Sequence, residues 1–176
     1  SLFTGRYPHN NGVMGLSHAN FAWELHPNEK HLAQFLKEAG YATVAVGVIH
    51  ETHAGAKRCG YDRHIRKNLA AEGTTAALEQ LEQLAAGKAP FFLYAGFVEP
   101  HRLPYPKGPD QRPEGHGLPG PHLKADNSLG VDVPGYLRDT PGTREELAGL
   151  QGAVRHVDEQ FGRWTKAIRE LGLETN

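Results

Sequence analysis

The chain has 176 residues, 39% of them hydrophobic and 22% charged, with a formal net charge of −1 at pH 7. That length supports one domain-sized core. The charge balance gives no electrostatic footing for nucleic acid or an anionic membrane as partner. No apolar run reaches membrane-spanning length, and a single cysteine, Cys59, excludes an intrachain disulfide or a cysteine-based zinc site.

Residues 1–29 are punctuated by Gly5, Pro8, Asn10, Asn11, Gly12 and Gly15 and read as a turn-rich segment after a fragment of helix. Ser1 opens without an initiator Met, a signal peptide or a cap. The chain stops just after a helix, where an α/β chain would start its next strand. Both ends are therefore expected to be internal to a longer chain.

From Lys30 the pattern turns helical. Leu32, Phe35, Leu36 and Ala39 follow i, i+3, i+4, i+7, and Gly40 stands where a helix-terminating glycine belongs. Residues 41–49, YATVAVGVI, form a β-branched apolar run expected to be a buried strand, with His50 just past its carboxyl end. Residues 50–72 look irregular and basic, with Lys57, Arg58, Arg63, Arg66 and Lys67. Residues 74–86 are helical again: Leu78, Leu81, Leu84 and Ala85 share a face, and Gly87 ends it. Pro90 then introduces FFLYAGFV, a second buried strand by composition, ending in Glu99, Pro100, His101 and Arg102.

Residues 103–139 are rich in Pro and Gly and read as a long loop of the kind that serves as a lid or binding segment. A helix follows. Asp139-Thr140-Pro141 offers a cap with proline at the first helical position, and residues 143–146 fit a capping box. Leu147, Leu150, Val154, Val157, Phe161, Trp164, Ile168 and Leu171 recur at three and four, a stripe expected to pack on a sheet, and Gly172 closes the helix.

Helix and strand alternate with short links, so the fold class is α/β with a mostly parallel sheet covered on both faces. Two strands are too few to cover these helices, and the chain is expected to be part of a larger α/β domain. Ligands of such sheets collect outside the carboxyl ends of the strands. His50 and His101 sit at two equivalent ends, where imidazole serves as acid, base or anion-binding cation. A lone histidine is most simply a surface or core residue; two in equivalent places mark a site candidate. Glu99 fits a general acid or base, or equally a solvated carboxylate capping the Pro100 turn. Arg102 fits bidentate pairing with an anionic substrate, or it faces water. His50-Glu51-Thr52-His53 lacks the i, i+4 spacing of a helical zinc pair, so metal ligation is not expected there.

The opening SLFTGRYPHNNGV adds a further layer. It resembles the sulfatase family, in the stretch after that family's cysteine signature. The order continues with Leu36-Lys37-Glu38-Ala39-Gly40-Tyr41, then Gly47-Val48-Ile49-His50 where the family has G-K-x-H, then PFFLY leading to Glu99-Pro100-His101 where it has D-P-H. The likeness spans essentially the whole chain. Together with VPGYLRDTPGTREELAGL it is most similar to the heparan N-sulfatase (sulfamidase) branch and related bacterial sulfatases.

The resemblance implies an alkaline-phosphatase-like fold, of which residues 1–176 would be part of the N-terminal catalytic domain. It implies hydrolysis of sulfate esters or sulfamates of sugars through a formylglycine nucleophile, installed by a formylglycine-generating enzyme. A divalent cation, usually calcium, would polarise the sulfate. His50 would contact the formylglycine hydroxyl, His101 would bind a sulfate oxygen or serve the leaving group, and Arg102 and Glu99 would line the substrate. The signature cysteine and the metal ligands fall outside these residues, so the fragment alone is expected to be inactive. The family is commonly exported or lysosomal. Two departures stand out. Val48 replaces a sulfate-binding lysine, and Glu99 replaces an aspartate. The first leaves open a degenerate domain that binds anionic glycans without turnover. A related phosphodiesterase is the other alternative, against which the Thr-Gly-Arg-Tyr-Pro-His match argues.

Overall fold

A computed structural model of the chain describes residues 1–17, 22–101, 103–104, 116–117 and 123–175. They divide into two compact units, Ser1–Phe97 with Ala167–Asn176, and Val98–Lys166.

The first unit is built on a three-stranded parallel sheet. β1 (Ala42–Gly47) lies between β2 (Arg63–Ile65) and β3 (Phe91–Gly96). β1 pairs with β3 residue for residue, from Ala42 opposite Phe91 to Gly47 opposite Gly96. The carboxyl ends of both strands therefore lie side by side. Thr43 to Gly47 are buried, as the β-branched run requires. β3, expected to be equally buried, is half-buried at every position. Among the described residues it borders a strand on one side only. β2 lies inside the stretch that reads as irregular. Three residues, one of them arginine, carry too little alternation to announce a strand.

Side-chain alternation sorts the sheet into two faces. Ala45 packs with Ala33, Ala56, Cys59 and Tyr61, and Phe92 and Tyr94 close this cluster from β3. Val44 and Val46, on the other face by alternation, are also buried. α4 (Ala70–Ala85) contacts β1 and β3 and buries Ala77, Leu81 and Leu84. Each large aliphatic side chain so buried contributes about 1.5–3 kcal/mol.

α2 (Leu32–Glu38) begins at a cap that the periodicity does not reveal. His31 Nδ1 accepts from the Ala33 N–H at 3.1 Å, and the His31 N–H donates to Gln34 Oε1 at 2.8 Å, a reciprocal capping box with histidine in the place usually held by Ser or Thr. Burial first, then the nearby Arg58 guanidinium, push the His31 pKa down to about 4, so the ring is neutral and able to accept. The helix ends as expected at Gly40. Its φ is +90°, and Gly40 N–H and Tyr41 N–H donate to Lys37 and Leu36 carbonyls, each at 3.0 Å. Two single-turn helices complete the unit, α1 (Pro8–Asn11) and α3 (Ala56–Cys59).

The second unit holds a two-residue antiparallel pair, β4 (Leu103–Pro104) with β5 (His116–Gly117), and most of α5 (Pro141–Glu170). The cap of α5 is Thr140, whose Oγ1 accepts from the Thr143 N–H at 3.1 Å. Thr143 lies inside the first turn and its hydroxyl donates to the Arg138 carbonyl at 2.8 Å, so residues 143–146 are not a capping box. The expected apolar stripe is not the buried face either. Phe161 is 64% exposed and Val154 is exposed, whereas Ala148, Gly149, Gly152 and Ala153 are buried. The backbone of residues 124–126 explains the rotation. It runs so close to α5 that a Cβ on Gly152 would overlap the Lys124 carbonyl oxygen, and the Asp126 N–H donates to the Ala148 carbonyl at 2.8 Å. Only small residues admit that approach.

Candidate functional site

The first part of the site is the loop that leaves β1 at Gly47. Gly47 has φ +83°, and a Cβ there would overlap the Gly96 carbonyl oxygen, so strand end and turn both require glycine. From here the main chain is held by side chains and by β3. The Gly47 carbonyl accepts from His64 Nε2 at 2.7 Å, which places the ring proton on Nε2. The Val48 N–H donates to the Gly96 carbonyl at 2.9 Å. The Val48 carbonyl accepts from the Tyr94 hydroxyl at 3.1 Å. Burial first, then the charge of Glu51, push the Tyr94 pKa up, which keeps this phenol a donor.

The same holding continues around His50. Ser17, 1% exposed, donates its hydroxyl to the His50 carbonyl at 2.8 Å. The His50 N–H donates to Glu51 Oε2 at 2.9 Å. Glu24 takes the next turn: Oε1 accepts from the Thr52 hydroxyl, and Oε2 accepts from the His53 N–H at 2.9 Å. Thr52 Oγ1 in turn accepts from the Ala54 N–H at 3.0 Å. His50 itself is exposed. The arrangement holds the backbone of an exposed histidine past the carboxyl end of β1, which is paired with β3, and imidazole at such an edge can exchange a proton or bind an anion. Val48, half-buried, brings no charge or donor side chain to that edge.

The remaining residues of the expected site follow β3 and belong to the second unit. Glu99 is 5% exposed, so it is not the solvated carboxylate that its sequence context allows. The His101 N–H donates to the Val98 carbonyl at 2.8 Å, and His101 is exposed. Arg102 lies outside the described residues.

Among the described residues, no group of three or more His, Cys, Asp or Glu side chains is placed to hold a metal ion. Cys59 does not fit a nucleophile precursor either. It is fully buried among Ala33, Ala45, Ala56 and Tyr61, and burial pushes its thiol up to about 12.

His64, Ser17, Glu24 and Tyr94 all act on the loop, and sequence reasoning singles out none of them. His64 sits on the three-residue strand that periodicity misses. Ser17 and Glu24 lie in the turn-rich opening segment, where no spacing rule applies. Tyr94 alone leaves a signal, because alternation places it on one face with Phe92, opposite Ala45 in register.

Residues 1–176 match the family model described as Sulfatase. The chain is 26% identical over 190 positions to N-sulphoglucosamine sulphohydrolase of Homo sapiens, covering 98% of this chain and 37% of that protein. A Bacteroides thetaiotaomicron protein, from a core genetic locus for the metabolism of multiple glycosaminoglycans, superposes with a TM-score of 0.68 at 17% identity, covering 99% of this chain and 46% of its own. Ps i-CgsB, solved in complex with k-i-k-neocarrahexaose, gives 0.59 at 15% identity, covering 99% and 44%. At such identities the two structures speak for the fold. The chain thus spans little more than a third of the human relative's length.

Proposed function

The chain belongs to the sulfatase family, with its alkaline-phosphatase-like α/β fold, and from that membership we propose that the protein containing it hydrolyses sulfate esters or sulfamates of sugars. The observation that carries this reading is the likeness to N-sulphoglucosamine sulphohydrolase along 98% of the chain. The clamped loop that presents His50 beside the ends of β1 and β3 supports it.

In this reading His50 and His101 exchange a proton with, or donate a hydrogen bond to, the reacting sulfate and its neighbours. Donors aimed at charge that develops in the transition state are worth about 3–4 kcal/mol each. Glu99 and Arg102 line the substrate. In this reading a formylglycine made by a formylglycine-generating enzyme would be the nucleophile and a divalent cation would polarise the sulfate, neither of them assigned to a residue of 1–176. A place outside the cytoplasm or in the lysosome accords with the same family reading.

The test is sulfate release by the full-length protein from an N-sulfated and an O-sulfated glucosamine. Turnover on at least one is expected, with a roughly 100-fold or greater loss in His50→Ala and in His101→Ala. Wild-type rates in both variants would remove the two histidines from the site. A second reading rests on Val48 alone: a domain that binds sulfated glycans without hydrolysing them. Saturable binding with no sulfate release from either substrate would favour it.

A further inference from the structure

We propose that Ser17 and Glu24 are positioning residues for His50, acting through the backbone of residues 50–53. The inference rests on the reading of His50 as part of the sulfate site. Ser17 and Glu24 come from the turn-rich segment before α2, and they grip the loop on either side of Glu51. Ser17 fixes the His50 carbonyl at 2.8 Å. Glu24 uses both carboxylate oxygens, one on the Thr52 hydroxyl and one on the His53 N–H.

Packing alone does not call for these side chains. A hydroxyl in a position 1% exposed is costly unless it is hydrogen-bonded, and alanine fills such a position without that cost. The turn already has a local side-chain bond, from the Ala54 N–H to Thr52 Oγ1 at 3.0 Å. The Glu24 carboxylate adds to it from a segment 28 residues away. On the sheet side, His64 and Tyr94 hold Gly47 and Val48. The main chain from Gly47 to Ala54 is thus tied to β2, β3 and the opening segment at once. These bonds fix the backbone from which the exposed His50 projects. Catalytic geometry tolerates little drift, and a displacement of about 1 Å costs on the order of 100-fold in rate. Tethers of this kind limit that drift.

The test uses the full-length protein and the N-sulfated or O-sulfated glucosamine that it turns over. Ser17→Ala and Glu24→Ala are expected to lower kcat roughly 10- to 100-fold with KM within about 2-fold. Glu24→Gln, which keeps one acceptor oxygen, should recover part of the loss. In a His50→Ala background the same two substitutions should cost no more than about 2-fold further, because residues that act as a unit are not additive. Amide hydrogen exchange across residues 48–54 should rise while β1 is unchanged. Where Ser17→Ala or Glu24→Ala does not fold, Thr52→Val removes the hydroxyl that Glu24 holds and should repeat the pattern.

Equal losses in the His50→Ala and wild-type backgrounds would overturn the proposal and make both residues structural. Unchanged kcat in Ser17→Ala and Glu24→Ala, with His50→Ala impaired, would overturn it while leaving the sulfate-site reading intact. Wild-type turnover in His50→Ala, or no sulfate release by the wild-type protein, would overturn the premise and the proposal with it.

Discussion

Replacing Gly47 by alanine tests whether the end of β1 is shaped by close approach or only by conformation. Two costs combine at that position. The backbone has φ +83°, where an L side chain costs roughly 1–2 kcal/mol. The added Cβ would also overlap the Gly96 carbonyl oxygen, a backbone atom that no rotamer can move aside. Relief requires β1 and β3 to separate at their carboxyl ends, which breaks the 2.9 Å bond from the Val48 N–H to that same carbonyl. Leaving such groups without a partner costs roughly a further 1–3 kcal/mol. Gly47→Ala should therefore lose about 2–5 kcal/mol. Gly40→Ala is the control: φ is +90°, but nothing lies within 4 Å of the new Cβ, so the loss should stay at about 1–2 kcal/mol. Urea unfolding of the full-length variants, followed by tryptophan fluorescence and by circular dichroism, measures both. Losses that agree within about 0.5 kcal/mol would show that the clash is absorbed, and that the β1–β3 junction is looser than its register implies.

Three other outcomes are expected. His31 has a folded pKa of about 4 against 6.5 for the free side chain, so the unfolded chain binds the proton first as pH falls. The stabilisation is complete above about 6.5 and is lost as pH drops toward 4, up to about 3 kcal/mol at 1.36 kcal/mol per pH unit. His31→Asn, which keeps a capping acceptor but does not titrate, should flatten the pH dependence of the urea midpoint over that interval; an unchanged slope would show that His31 is not buried neutral. In α5, Gly152→Ala should destabilise by about 1–3 kcal/mol and raise hydrogen exchange at the Asp126 amide. Gly162→Ala, with nothing within 4 Å of its Cβ, should instead stabilise the helix by up to about 1 kcal/mol. Finally, Val48→Lys leaves both backbone bonds of residue 48 in place and adds a cation at the strand ends. An increase in kcat or a fall in KM on a sulfated sugar is expected, and no change in either would mean that the anion contact is made elsewhere.

Much of the scaffold was legible because it depends on local physics. The β-branched run of β1, the three-and-four spacing in α2 and α4, Gly40 as terminator and the Thr140-Pro141 start of α5 all follow from backbone preference and periodic burial. The parallel pairing of β1 with β3 follows from the helices between them. His50 and His101 were legible as candidates for the same reason, since each follows an apolar run. Short or mixed elements were not. β2 is three residues long, and the cap of α2 is a histidine, a residue that pattern rules do not assign to that role.

By itself, then, the sequence determined the order of the longer elements α2, β1, α4, β3 and α5, the α/β class, the family likeness and the two histidines past β1 and β3. The tertiary structure decided what holds those histidines and which faces are covered. Ser17 and Glu24 matter to His50 only because the opening segment folds back on a loop more than 25 residues downstream, and no local rule reports a contact between residues so far apart. The buried side of α5 was decided in the same way. Periodicity measures where apolar side chains lie on a helix, whereas burial depends on what approaches it, and here a backbone segment approached the small residues rather than the large ones.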